Sequence, residues 1–476
     1  MGMPYIVKLR RLWESPVAWS WAFQFIRLAA ALILLPLVLR PSLLSTKDLG
    51  MYWAFAHLAS LAALFDFGFS TSIGRNVAYA MAGAKKLSAE GHCEDAPSGI
   101  PNRPLLWQLL RSTRHLFLGL AAAASVVLAA FGSATVASRA AETSDPTRTW
   151  IAWGLVVVSA VLEIYSGWWN TYLRSMNDVL ASARIAVLAF GFRLCLAAVF
   201  LLTGAGLLAL PLAGLVSSVI GRHLSRKRCL ALLGPEPQGI PTVSLIPILW
   251  PNSWRTGLQF FSVYLATNAN TLLCLSFLGL EANARFGLTV QVTGLIASMS
   301  LVWTAVKWPY VGQLCKARDT QGLRDLLWPR LWLQSLTFLG LAALALIVGP
   351  LALRWIGSDK QFLPPLLFGG MLAYSLLETQ FAFWTTLLSL MRNRIPSLWP
   401  TVVTNCVTVS VVVGLLSQLE AVPSDPALTH STLVRGLTIL AFVPLTVASL
   451  FSFWYWPMIG AREIQTRWWR FMFLRR

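Results

Sequence analysis

Charge is scarce in this chain, and acidic charge is scarcer still. Only 12% of its 476 residues are Asp, Glu, Lys or Arg, with 19 acids against 38 bases. A domain whose surface lies in water carries roughly 25% charged residues, so this composition excludes an ordinary soluble globular chain. The six cysteines, at positions 93, 195, 229, 274, 315 and 406, show no CxxC spacing and imply neither a disulfide framework nor a metal site. No GxxxxGK[ST] phosphate loop is present, which excludes nucleotide hydrolysis by that route. The Gly-rich run GAGLLALPLAG after Thr203 contains no basic residue and reads as a tight turn between two helices, not a phosphate cradle. Long external loops are lacking as well. The longest candidates for the external side, 138–149 and 418–432, have no room for a folded catalytic module.

Hydrophobic runs fill the space instead. Apolar residues make up 56% of the chain and the mean hydropathy is +0.64. A helical crossing of a bilayer takes about 20 apolar residues, and segments 17–39, 116–137, 185–203 and 331–353 meet that length. Barrel strands would be shorter and half polar. The expected fold class is therefore an all-α polytopic membrane protein. About twelve transmembrane helices fall into two pseudo-symmetric six-helix lobes around a central cavity. The expected organisation is a cytoplasmic N-terminus (1–16), an N-terminal lobe (17–228), a cytoplasmic linker (229–251), a C-terminal lobe (252–456) and a basic cytoplasmic tail (457–476). Lys8, Arg10 and Arg11 precede a first span of full length without a small-residue cleavage site, so that span is expected to be a retained helix rather than a signal peptide.

The net charge of +19 would suggest nucleic acid on a soluble protein, but its distribution argues against that partner. Threading the spans places basic clusters at alternate loops: Lys85, Lys86, Arg103, Arg111 and Arg114; Arg222, Arg226, Lys227 and Arg228; Lys316, Arg318, Arg324 and Arg330; Arg392 and Arg394; and Arg462 to Arg476. The positive-inside rule then puts both termini in the cytoplasm, and a multi-pass protein of a bacterial inner (plasma) membrane is expected. Arg467, Trp468, Trp469, Arg470 and Phe471 read as an interfacial anchor facing anionic membrane lipid. Tryptophans 150, 153, 168 and 169 read as the two interfacial belts of one span. Segments 82–104 and 234–251, rich in Gly and Pro, read as irregular linkers.

A weak internal repeat is visible. WAFQFIRLAA around Gln24 can be laid over TGLQFFSVYLA around Gln259, and LGMYWAFAHLASLAALF over NARFGLTVQVTGLIASM. In each half a helix carrying Gln is followed by a short turn and then by an aromatic residue, Tyr52 or Phe286, opening the next helix.

The run DLGMYWAFAHLASLAALFDFGFSTSIGRNVAYAMAG from Asp48 resembles the first external turn and second helix of Wzx-type polysaccharide flippases. That family shares the MOP superfamily with the MATE exporters and lipid II flippases. Gly50, Tyr52, Asp66, Gly68 and Arg75 match its pattern; Met51 intervenes between Gly50 and Tyr52, and the loop 82–104 exceeds the usual connector. YLRSMNDVLASARIAVLAFGFRLCLAAVFL and FLGLEANARFGLTVQV resemble its fourth-to-fifth and seventh-to-eighth helix connections. The resemblance implies a transporter without cofactor. It would flip a polyprenyl-diphosphate-linked oligosaccharide by alternating access for cell-surface polysaccharide synthesis, beside a polysaccharide polymerase or glycosyltransferases.

Charges at membrane depth cost several kcal/mol unless paired or wet, which makes them the candidate working residues. Arg27 shares a helical face with Ser20 and Gln24, and Arg193 lies midway along the fifth span, with Arg184 nearer the cytoplasm. With Gln259 and Asn270 they are the expected substrate-binding residues. Asp66 is a coupling group, a helix cap or a salt-bridge partner of Arg75. Glu163 and Glu378 are candidate proton carriers, because burial raises a carboxyl pKa. Asn268, Asn270 and Gln259 form one polar face of the seventh helix, which interhelical hydrogen bonding explains equally well. Two rivals remain: a MATE-like exporter of small cations, which predicts an acidic cavity, and a polytopic glycosyltransferase or polymer ligase, which needs an external catalytic acid. External carboxylates for the latter are Asp48, Glu142, Asp145, Glu281, Asp359, Glu420 and Asp425.

Overall fold

A computed structural model describes residues 16–85, 87, 100–239, 244–305, 307–317, 319–392, 396–419 and 426–466. The described residues are helical with short connections and contain no strand. The chain divides into two compact units, Met1–Phe261 and Ser262–Arg476.

The first unit contains α1 (Pro16–Leu39), α2 (Thr46–Ala63), α3 (Phe69–Met81), α4 (Arg103–Val127), α5 (Ser133–Ala137), α6 (Pro146–Ser175), α7 (Val179–Leu202), α8 (Ala209–Leu233) and the start of α9 (Ile246–Thr267). The helix starts are written in the sequence. Side chains of Ser45, Asn102, Asp145 and Asp178 accept from backbone N–H groups of α2, α4, α6 and α7, satisfying donors that a helix start leaves open. Helix α6 is central, packing on α2, α3, α4 and α8, while α7 lies between α8 and α1. This centrality corrects the reading of the tryptophans. Trp150 is 42% exposed, but Trp153, Trp168 and Trp169 are 3%, 1% and 6% exposed; Trp168 stacks on Trp169 and meets Tyr172 and Phe117. Three of the four are core residues, on the side of α6 that its neighbours cover.

The second unit continues from the end of α9 through α10 (Ala269–Leu278), α11 (Leu280–Ala305), α12 (Trp308–Ala317), α13 (Thr320–Trp355), α14 (Pro365–Arg392), α15 (Leu398–Ser417), α16 (Pro426–Leu450) and α17 (Ser452–Glu463). Its core joins Phe286, Phe338, Phe368, Val412, Leu416 and Leu440. Small residues set the helix approach: a Cβ on Gly370 would stand 2.8 Å from the Phe442 ring, the close packing that membrane bundles use in place of a hydrophobic driving force. Arg392 grips Glu463 through Nε (2.9 Å) and Nη2 (2.5 Å), tying the ends of α14 and α17.

Ten of these helices are long and apolar enough to cross a membrane, and eleven if the bent pair α9–α10 is one span. The 24-residue α1 carries Arg27 as its only charge. The succession of two long helices, a short one and a long one recurs: α1, α2, α3, α4 in the first unit, then α9–α10, α11, α12, α13. Two expectations change. Helix α8 runs to Leu233 and carries Arg222 to Cys229, and α9 starts at Ile246 with Pro247 in its first turn and Pro251 inside. The seventh span also breaks at Asn268 with a bend of 41°, so Gln259, Asn268 and Asn270 do not share one continuous helix face.

Within the first unit the start of α9 is fastened at the end of the second span. Asp66 closes a short 3-10 turn, and Phe67 (φ 43°) and Gly68 (φ 71°) are both left-handed, which separates α2 from α3. Gly68 lies against Thr256 and the Ser253 carbonyl, Gly257 lies against Phe67, and the Ser253 hydroxyl donates to Ser72 (2.9 Å). The connector is held too. Arg111 pairs with Glu236 at 2.6 Å, and the Leu245 N–H donates to the Ser112 hydroxyl at 3.2 Å.

Candidate functional site

Two arginines stand at mid-span in the first unit. Arg27 is near the middle of α1. Its neighbours Phe23 and Ile26 face α7, Phe23 meeting Phe190 with ring centres 5.7 Å apart. Arg27 itself is uncovered by protein and makes no ion pair or hydrogen bond with the described residues. The side chains of Ser20 and Gln24 lie outside the described set, so the shared face expected for them is not part of this site's geometry.

Arg193 is midway along α7 and exposed. Its guanidinium reaches over the bare backbone of Gly214 on α8, with Nη2 3.7 Å from the point where a Cβ would stand. Arg184, one and a half helical turns into α7, lies 5.7 Å over the Trp19 ring of α1, and Arg222 lies 4.5 Å over Tyr165. Both are held by cation–π contacts, so among these cations Arg27 and Arg193 are the two with neither a carboxylate nor an aromatic ring as partner among the described residues.

The acids stand differently from expectation. Glu163 on α6 is exposed, not buried, because it lies on a side of α6 that its neighbours leave uncovered; it makes no ion pair among the described residues. Asp66 accepts from the Ser70 N–H (3.3 Å) and hydroxyl (2.7 Å). Of the alternatives open to it, the helix cap is formed and the salt bridge to Arg75 is not; Arg75 Nε is buried without a partner. In the second unit Asn270 is 8% exposed with its Oδ1 unpartnered on the first turn of α10, and Glu378 on α14 is half-buried with its charge bearing on Tyr374 one turn earlier. Gln259 is half-buried and belongs to the first unit.

Several of the carboxylates expected on the external side have structural work. Asp48 accepts from the Ser144 N–H (3.1 Å) and hydroxyl (2.5 Å), Glu142 pairs with Arg139 at 2.8 Å, and Asp145 caps α6 and meets Arg148 at 3.3 Å. Asp359 lies 3.9 Å from the buried Lys360. Glu420 and Asp425 lie outside the described residues. No group of three metal-ligating side chains occurs among the described residues.

No family model and no curated protein matches the sequence. Solved structures do. An inward-facing multidrug resistance MATE family transporter of the MOP superfamily covers 93% of this chain and 99% of its own, at 13% identity and a TM-score of 0.58. Its outward-facing counterpart aligns with 95% of both chains at 16% identity and 0.56. The fold is that of a MATE transporter. A third MATE-fold neighbour is a MOP superfamily transporter from Pyrococcus furiosus, described as having a binding pocket of reversed polarity that suggests a different function; 95% of both chains align at 14% identity and 0.53. At these identities the likeness says nothing about which residues bind.

Sequence reading found Arg27 and Arg193 because cations in apolar runs stand out. It missed Ser159 and Gly214, which the packing of α6 and α8 brings to Arg193. The spacing of Ser159 and Glu163, four apart and therefore on one face of α6, was the one available signal.

Proposed function

We propose that this chain flips a polyprenyl-diphosphate-linked oligosaccharide from the cytoplasmic to the outer leaflet by alternating access, serving cell-surface polysaccharide synthesis in a bacterial inner membrane. The observation that carries this reading is the pair of guanidinium groups, Arg27 and Arg193, at mid-span without carboxylate partners among the described residues. Charge at that depth costs several kcal/mol and persists where it meets water or a counter-charge; a diphosphate supplies the counter-charge. An exporter of small cations would be served by the opposite sign. The lipid tail stays in hydrocarbon while the sugars, whose unsatisfied polar groups could not cross alone, pass through a wet path. An inside-negative potential favours outward movement of an anion by about 2.3 kcal/mol per charge per 100 mV. Glu163 and Glu378 are the candidates for any coupled proton. The partners that fit this reading are the lipid-linked oligosaccharide, membrane lipid, and the polymerase or glycosyltransferases that use the same carrier.

The test is flipping of a fluorescent polyprenyl-diphosphate sugar in proteoliposomes by wild type, Arg27→Ala, Arg27→Lys and Glu378→Gln. Loss in Arg27→Ala with partial retention in Arg27→Lys is expected, with a flattened pH dependence in Glu378→Gln. Normal flipping by Arg27→Ala sinks the cationic assignment. The second reading, a small-molecule exporter, is favoured by the multidrug transporters among the structural neighbours. Efflux of a cationic dye, with no lipid flipping by well-folded wild type, would establish it instead.

A further inference from the structure

The last turns of α8 gather cations at the foot of an apolar stripe. Leu212, Val216, Val219 and His223 recur at helical spacing on one side of the helix, and Arg226 and Lys227 continue that side by one more turn. Neighbouring helices leave it open: Val219, His223, Arg226 and Lys227 are exposed, and Leu212 and Val216 are half-buried. The other sides are occupied. Ser225 and Cys229 are buried, Arg222 lies 4.5 Å over the Tyr165 ring, and Arg228 pairs with Asp178 at 2.6 Å. His223, Arg226 and Lys227 make no hydrogen bond, ion pair or ring contact with the described residues. The next acid along the chain, Glu236, is bound to Arg111 at 2.6 Å. At about 1.5 Å per residue the rise from Ala209 to Arg226 is about 26 Å, close to the roughly 30 Å of hydrocarbon in a bilayer. The stripe therefore spans the depth of acyl chains and the cations stand at the depth of headgroups.

We propose that this side of α8 binds an anionic phospholipid of the surrounding bilayer, its phosphate at His223, Arg226 and Lys227 and its acyl chains along Val219, Val216 and Leu212. The joint pattern fixes the occupant. An acidic protein segment would meet the cations and leave the apolar stripe uncovered; a lipid without net charge would cover the stripe and leave two cations without a counter-charge. An Arg guanidinium offers a fork of donors that matches phosphate oxygens, and Lys adds a point charge. The positive-inside rule accounts for a surplus of cations at one end of the spans, but it does not call for them to stand in line with one open apolar stripe. The lipid is a bilayer component rather than the carried substrate, because the stripe lies on the side of α8 opposite Gly214, where Arg193 stands.

The test titrates the full-length protein in a neutral detergent with phosphatidylglycerol and, separately, with phosphatidylcholine of the same acyl chains, counting bound lipid by native mass spectrometry. Each Lys or Arg near an anionic headgroup is worth about fivefold in affinity. Wild type should therefore prefer phosphatidylglycerol by about thirtyfold, and Arg226→Gln with Lys227→Gln should bring its binding down to the phosphatidylcholine level. Arg114→Gln, which removes an exposed cation on α4, should leave the preference intact. Unfolding temperatures without lipid should match wild type, since neither Arg226 nor Lys227 has a partner to lose among the described residues. If the double variant does not fold, the two single variants carry the test, each with about a fivefold loss. Equal binding of the two lipids by wild type overturns the site. So does a loss in Arg114→Gln as large as in the double variant, which would reduce the preference to a diffuse field. Displacement of phosphatidylglycerol by glycerol 3-phosphate would show that the stripe holds no acyl chain and overturns the site as well. Displacement by geranylgeranyl diphosphate at lower concentration than by phosphatidylglycerol itself would hand this surface to the carried lipid and overturn the assignment to a bilayer phospholipid.

Discussion

Gly257 stands in the interior of α9, where glycine is about 1 kcal/mol less favourable than alanine in an exposed helix. On propensity alone, Gly257→Ala should stabilise the protein. The packing opposes this. A Cβ there would meet the Phe67 ring at 2.7 Å and the Phe67 Cα at 2.9 Å, and a backbone atom cannot swing aside as a side chain can. Phe67 is itself left-handed, at φ 43°, so the turn has little freedom to yield. Overpacking costs about 1–3 kcal/mol, and a backbone clash belongs at the upper end. Subtracting the propensity gain leaves a net loss of about 2 kcal/mol. Gly154 on α6 is the control: it is helical, and a Cβ there has nothing within 4 Å. Thermal unfolding of the purified proteins, followed by tryptophan fluorescence, should show Gly257→Ala melting below wild type and Gly154→Ala at or above it. Gly257→Ala melting at or above wild type would refute the docking of α9 on the Phe67–Gly68 turn. Because a two-lobed membrane protein need not unfold in one step, the sign of the shift is the decisive quantity.

Asp66→Ala removes the acceptor for the Ser70 N–H and hydroxyl and should cost about 0.5–2 kcal/mol, whereas Asp66→Asn keeps most of the cap. If Asp66 only caps, Asp66→Asn flips substrate normally in proteoliposomes; flipping lost at unchanged stability would instead return Asp66 to the coupling role. Asp48→Ala leaves the Ser144 N–H and O–H without their charged acceptor, at about 1.5–3 kcal/mol for such a bond. Trypsin should then cut at Arg139 or Arg148 faster than in wild type, and an unchanged digestion rate would show that Asp48 does not hold this loop.

The Asp66-Phe67-Gly68 turn was legible because an acid and a glycine interrupting an apolar run are local signals. Its partner on α9 was not: nothing around Gly257 in the sequence marks it as the residue that lies on Phe67. Asn268 and Asn270 were visible as polar residues in an apolar segment, but whether they form a face or mark a break depends on backbone dihedrals that polarity does not report. Trp153, Trp168 and Trp169 misled for a related reason. In a bilayer the lipid-facing and protein-facing sides of a helix are both apolar, so hydrophobicity could not show which side of α6 its neighbours cover.

By itself the sequence determined the all-helical class, the recurrence of long apolar spans and the presence of cations within them, because hydrocarbon thickness and the cost of buried charge act on each segment separately. The tertiary structure alone decided that α9 begins fastened to the first unit, that Asp66 caps a helix instead of pairing with Arg75, and that Ser159 and Gly214 stand beside Arg193. These are consequences of how each helix is rotated about its axis and how closely glycines let its neighbours approach.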